Sequence, residues 1–106
     1  MYQITDYTFK KLDELNKMFK TDAFNIKVSK NKSKKIDVFI NEKKVASVGA
    51  IKSNGVPYLD YPSYINTMGL KYANRRKKLY YDRHESEPMV KDGKITPSWY
   101  AKYFLW

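Results

Sequence analysis

Between Thr5 and Thr21 the apolar residues recur at spacings of three and four: Phe9, Leu12, Leu15, Met18 and Phe19 share one stripe of a helix. Thr5 or Thr8 offers a hydroxyl to cap its start, and Lys17 and Lys20 suit the negative end of its dipole. The period then shortens to two. Phe24, Ile26 and Val28 alternate with Asn25, Lys27 and Ser29, and Ile36, Val38 and Ile40 repeat the alternation after "KNKSKK". "VASVGAI", Val45 to Ile51, follows a short turn at "NEKK". Three such runs joined by short polar loops predict an antiparallel meander, with one face on the first helix and the other partly wet. Gly49, inside the third run, predicts a bulge or a close backbone approach.

The second half changes character. Asn54-Gly55 and two prolines mark "SNGVPYLDYPS" as a connector. Asp60 is placed to cap a short helix that starts near Pro62 and runs through "SYINT" to Gly69. A basic helix is predicted from about Leu70 to Glu85. "EPMVKDG" reads as a loop. Thr96 followed by Pro97 marks the start of a last helix, "SWYAKYFL". The predicted fold class is α+β in a single domain spanning residues 1–106: an N-terminal helix, a three-stranded antiparallel sheet, and two or three C-terminal helices.

Charge adds a partner to this picture. Lys and Arg number 21 against 11 Asp and Glu, a formal net charge of +10, and the sequence pI is about 9.7. Such a surplus favours nucleic acid, an anionic membrane surface or an acidic protein, and it also serves solubility. Aromatics reach 16%, enough for a small core despite few aliphatics. There is no cysteine, which excludes a disulfide framework and thiolate metal sites. No long apolar run is present, and "MYQITDYTF" lacks a basic segment followed by an apolar one. The expectation is no membrane partner, no signal peptide, and a place in a cell's cytoplasm or inside an assembled particle.

"KYANRRKKLYYDRH", Lys71 to His84, is the densest candidate site. On a helix, Lys71, Arg75 and Lys78 form one stripe, and Tyr72, Arg76, Leu79 and Arg83 a second, with Ala73 and Tyr80 near it. Lys71, Arg75, Lys77 and Lys78 are the candidate phosphate contacts, with a solvated surface as the plain alternative. Arg76 and Arg83 share the apolar stripe, which assigns them to holding the fold or to a phosphate. His84 is the only histidine. With no cysteine and no second histidine it lacks zinc-ligand company, and Asp60, Asp82 and Glu87 are equally available to orient it. A structural hydrogen bond or a phosphate contact is its expected role.

Lys30, Lys32, Lys34 and Lys35 load the turn between the first two strands, as a phosphate-tracking tip or as a solvated loop. Trp99, Tyr103 and Trp106 fall at i, i+4 and i+7 of the last helix, beside Tyr100 and Phe104. That pattern builds a core, docks a partner, or drives self-association. Phosphate-binding glycine loops, GxSxG and HExxH are missing. The chain therefore reads as no enzyme, with no cofactor and no metal.

Read together, "VGAI", "DYPSYI", "RRKKLYYDRH" and "GKITPSWYAKYFLW" resemble a family of small proteins of phages and large DNA viruses. Its pattern is a glycine-bearing strand, an Asp-aromatic segment, an R-x-x-Y-x-x-R-H helix, and an aromatic helix ending in Leu-Trp. The matching residues are Gly49, Asp60, Tyr61, Arg76, Tyr80, Arg83, His84, Thr96, Trp99, Tyr100, Leu105 and Trp106. The likeness covers about Val45 to Trp106, and this chain has a longer connector, "KSNGVPYL", before the Asp. It implies a viral origin and a shared module, and carries no activity with it. The expected function is a nucleic-acid-binding protein, with DNA favoured over RNA, that works through phosphate contacts with weak sequence selection. The alternatives are a structural virion component at a capsid or portal, or a host-directed inhibitor of an acidic protein.

Overall fold

Thr5 opens the first helix, α1 (Asp6–Met18): its backbone is extended and its hydroxyl accepts from Thr8 N–H at 3.3 Å. The computed structural model describes residues 2–106. Three strands follow, β1 (Phe24–Val28), β2 (Lys34–Ile40) and β3 (Lys43–Ala50), in the order β1-β2-β3 and antiparallel throughout. Helices α2 (Tyr61–Met68) and α3 (Leu70–His84) come next. A two-stranded ribbon of β4 (Val90–Lys91) and β5 (Lys94–Ile95) precedes the last helix, α4 (Pro97–Leu105). The α+β class, the N-terminal helix, the antiparallel meander and three C-terminal helices are as the patterning predicts. The chain clusters into two compact units, one ending at Tyr58 and the other running Leu59–Trp106.

In the first unit the register sets Ile26 opposite Val38 and Val38 opposite Ala46, with Val28, Ile36 and Val48 beside them on the same face. Buried positions on this face join Leu12 and Leu15 of α1 in the core. The helical stripe is narrower than expected. Thr8, Leu12 and Leu15 are buried, whereas Phe9, Met18 and Phe19 are exposed. Phe19 meets only the edge of the core, its ring 5.6 Å from Phe24. Asn16 ties α1 to the sheet: its side-chain amide accepts from Phe24 N–H at 3.0 Å and donates to Phe24 O at 3.2 Å. Of the two readings of Gly49, the bulge lies elsewhere. The register shifts between Val38 and Phe39, which face Ala46 and Lys44, so Val45 is the extra residue. Asn41 and Glu42 make the two-residue β2–β3 turn with φ of 50° and 68°, the conformation that matches strand twist.

The sheet's second face is partly wet, as the alternation predicts, with Asn25 and Lys27 exposed, but it also buries two charged residues. Lys35 and Asp37 on it are 2% and 3% exposed. The Lys35 ammonium donates to the Tyr58 carbonyl and lies 5.3 Å from the centre of the Tyr2 ring. A buried charge needs such partners, and these come from the two ends of the unit's chain.

In the second unit Asp60, 1% exposed, caps α2 by accepting from Ser63 N–H and Oγ at 3.3 and 2.8 Å. Gly69 joins α2 to α3 alone, at φ 88° and ψ 164°, a region essentially reserved for glycine. Thr96 caps α4 as predicted, accepting from Trp99 N–H at 3.2 Å, and its hydroxyl also donates to Pro88 O at 2.8 Å. Tyr100, Phe104, Leu105 and Ala73 are the buried centre. The segment read as a loop, residues 87–93, contains β4 and the turn at Asp92-Gly93, both with positive φ, that leads into β5.

Candidate functional site

A residue advances about 100° around an α-helix, so a stripe is defined by where its centre falls. In α3 the centre of the inward face is Ala73, fully buried, and Tyr80, one heptad on. Tyr72, Arg76, Lys77 and His84 flank it, half-buried. Leu79 lies about 100° round from Tyr80 and is 45% exposed. Arg83 is exposed as well. The expected inward stripe of Tyr72, Arg76, Leu79 and Arg83 is therefore rotated: Leu79 and Arg83 leave it, while Tyr80 and His84 enter.

The rotation sorts the basic residues. Lys71 and Arg75 are exposed and form no ion pair among the described residues. The first turn of α3 holds no acid, so the positive end of the helix dipole reinforces Lys71. Lys78 is also exposed, but Asp82 takes it at 2.9 Å, and this hydrogen bond and charge raise the ammonium above its ordinary range. Lys77 turns aside: its ammonium sits 4.8 Å from the Tyr61 ring centre and 5.9 Å from that of Tyr81. Cation–π contact on two phenols makes Lys77 part of the packing. Tyr61 also donates to Asn74 Oδ1 at 2.7 Å. Arg76 lies over Tyr64 of α2, 5.5 Å from its ring centre.

His84 has one partner among the three carboxylates its sequence neighbourhood offered. Its Nδ1 meets Glu87, with Oε2 at 3.0 Å. Its ring lies 4.3 Å from that of Tyr80, and Lys102 Nζ donates to the His84 carbonyl at 3.3 Å, satisfying the exposed end of α3. Tyr80 stacks on Trp106 at 4.6 Å and 11°. Burial, and next the Glu87 charge, push the Tyr80 phenol up to about 12. Of the aromatic docking set, Trp106 is thus engaged by Tyr80 and, at 6.0 Å, by Tyr64. Trp99 and Tyr103 stack on each other at 5.0 Å and 8°.

The lysine turn divides too. Lys30 and Lys32 are exposed, Lys34 is half-buried at the start of β2, and Lys35 is buried against Tyr58 and Tyr2. Lys35 therefore leaves the phosphate-contact set, because a side chain held inside the unit cannot reach a backbone outside it.

Sequence reasoning missed Asp37. Burial works against its charge, but hydrogen bonds from Ser29 and Ser47, the Lys30 N–H and the nearby Lys44 outweigh it and hold the carboxyl below the usual carboxylate range. An acid between Ile36 and Val38 in an alternating run gives no signal of its own, since alternation assigns it to solvent.

Among the described residues no three His, Asp or Glu gather to hold a metal ion, and no helix is long and apolar enough to cross a membrane. Comparison of the chain with known protein families, with characterised proteins and with solved structures finds no match.

Proposed function

We propose that the protein binds nucleic acid, DNA before RNA, through its phosphates and with weak sequence selection. The observation that carries this reading is the state of its basic side chains. Lys71 and Arg75 stand in solvent on the outward face of α3 with no acid beside them, in a chain of net charge +10. A charge-balanced soluble surface would set carboxylates at i+4, as Asp82 does for Lys78. Lys71 and Arg75 lack that balance, which is what a phosphate-neutralising pair requires. The setting that goes with this reading is a viral protein working in the host cytoplasm or inside the particle.

The test is a titration of labelled duplex and single-stranded DNA at several salt concentrations. Each phosphate neutralised contributes about 0.9 to the slope of log affinity on log salt for duplex. Changing Lys71, Arg75 and Lys78 to Glu should weaken binding to both and flatten that slope. Unchanged affinity removes this face from the interface, and a tight, salt-insensitive complex with an acidic protein would replace the nucleic-acid reading.

A further inference from the structure

The β1–β2 connection has an order that its charge alone does not reveal. From Ser29 to Lys34, small polar residues at 29, 31 and 33 alternate with lysines at 30, 32 and 34. The small residues build the loop. Ser29 Oγ accepts from Asn31 N–H at 3.0 Å. Asn31 Oδ1 accepts from Ser33 N–H at 3.0 Å and from Ser33 Oγ at 2.8 Å, and Asn31 O accepts from Lys34 N–H at 3.0 Å. Ser29 N–H closes the base on Lys35 O at 3.0 Å.

Asp37 fastens this loop to the central strand. Its Oδ1 accepts from Ser29 Oγ and from Ser47 Oγ, each at 2.6 Å, and its Oδ2 faces Lys30 N–H at 3.5 Å. The carboxylate thus spends its acceptors on two hydroxyls and an amide, and it takes no ammonium from the tip. Lys30 and Lys32 remain exposed with no ion pair among the described residues. A buried carboxylate is expensive to desolvate, and Asp37 offsets that cost with hydrogen bonds that fix the loop to the central strand and stabilise the turn whatever it meets. A loop that must hold two ammonium groups at a polyanion gains a great deal, because ordering lost on binding has already been supplied by folding.

We propose that the β1–β2 hairpin is a preorganised contact for a nucleic-acid phosphate backbone, made by Lys30 and Lys32 and positioned by Asp37. The proposal rests on the nucleic-acid reading above and adds a site in the other unit of the chain.

The experiment is the salt titration of a short labelled duplex with the full chain and four variants: K30Q/K32Q, D37N, N31A and, on α3, K71Q/R75Q. Loss of two lysine contacts should lower the salt slope by about two. D37N carries the sign that matters. It adds one net positive charge, so electrostatics without positioning would tighten binding, whereas a loosened tip weakens it by about threefold to tenfold. N31A breaks the same loop at an exposed residue with no change of charge, and should show a similar loss; it decides the matter if D37N does not fold. Hairpin variants that bind like the unaltered chain while K71Q/R75Q binds worse would overturn the hairpin site and leave the α3 reading standing. Tighter binding by D37N, with N31A unaffected, would overturn the positioning role. Absence of salt-dependent binding by the unaltered chain would overturn the nucleic-acid reading itself, and this inference with it.

Discussion

Phe104→Ala tests how the unit that carries α3 is held together. The ring is fully buried, 6.2 Å from Tyr100 in a stacked arrangement and 5.3 Å from Tyr103 edge-on. Truncating a buried Phe to Ala costs about 3–5 kcal/mol, the lost transfer energy plus the cavity. At about 0.05–0.15 kcal/mol per residue, a unit the length of Leu59–Trp106 holds roughly 2–7 kcal/mol in all. One substitution should therefore remove most of that unit's stability. Both tryptophans, Trp99 and Trp106, lie in it, so their emission in a urea titration reports its unfolding. Leu79→Ala is the matched control. Its side chain is 45% exposed, and its loss should stay within about 0.5 kcal/mol. The two together test the rotation of α3, because the stripe read from sequence makes Leu79 a core residue. A Leu79→Ala cost equal to that of Phe104→Ala, or a Phe104→Ala cost below about 1 kcal/mol, would refute the packing described.

Three further outcomes follow from individual groups. Asp37 has a carboxyl depressed in the folded protein, so its contribution to stability is present above the unfolded value near 4 and is lost as pH falls through the lower folded value; urea midpoints across acid pH should drop more steeply for the unaltered chain than for D37N. Tyr80 is raised instead, to about 12, so its contribution is intact below the ordinary phenol value near 10 and fades as pH rises from there towards the folded value; burial raises Tyr81 and Tyr100 as well, so ultraviolet titration should show several late phenolates, of which Tyr80→Phe removes one. Gly69→Ala meets no neighbouring atom, yet its φ of 88° should cost about 1–3 kcal/mol through backbone strain alone, read as a lower urea midpoint by the same tryptophan emission.

The elements of this protein were legible in one dimension because their signals are local. Thr5, Asp60 and Thr96 cap helices where their hydroxyls and carboxylate predict, since a cap involves only residues two or three positions on. Alternation in "FNIKVS" and around Ile36–Ile40 determined the strands for the same reason. The Asp92-Gly93 ribbon is equally local, and reading "EPMVKDG" as a loop passed over the turn signal of that dipeptide. Which basic residues a partner can reach was not local. Lys30, Lys32, Lys35, Lys71 and Lys77 are one residue type in sequence. Tertiary structure alone buries Lys35 under Tyr2 and lays Lys77 on Tyr61 and Tyr81. It turns Lys30, Lys32 and Lys71 to solvent, and it puts the Asp37 carboxylate beneath the hairpin. Charge total is a property of composition, so the sequence determined that the protein is a polycation. Accessibility depends on contacts between residues far apart in the chain, so only the folded structure decided which of those charges face outward.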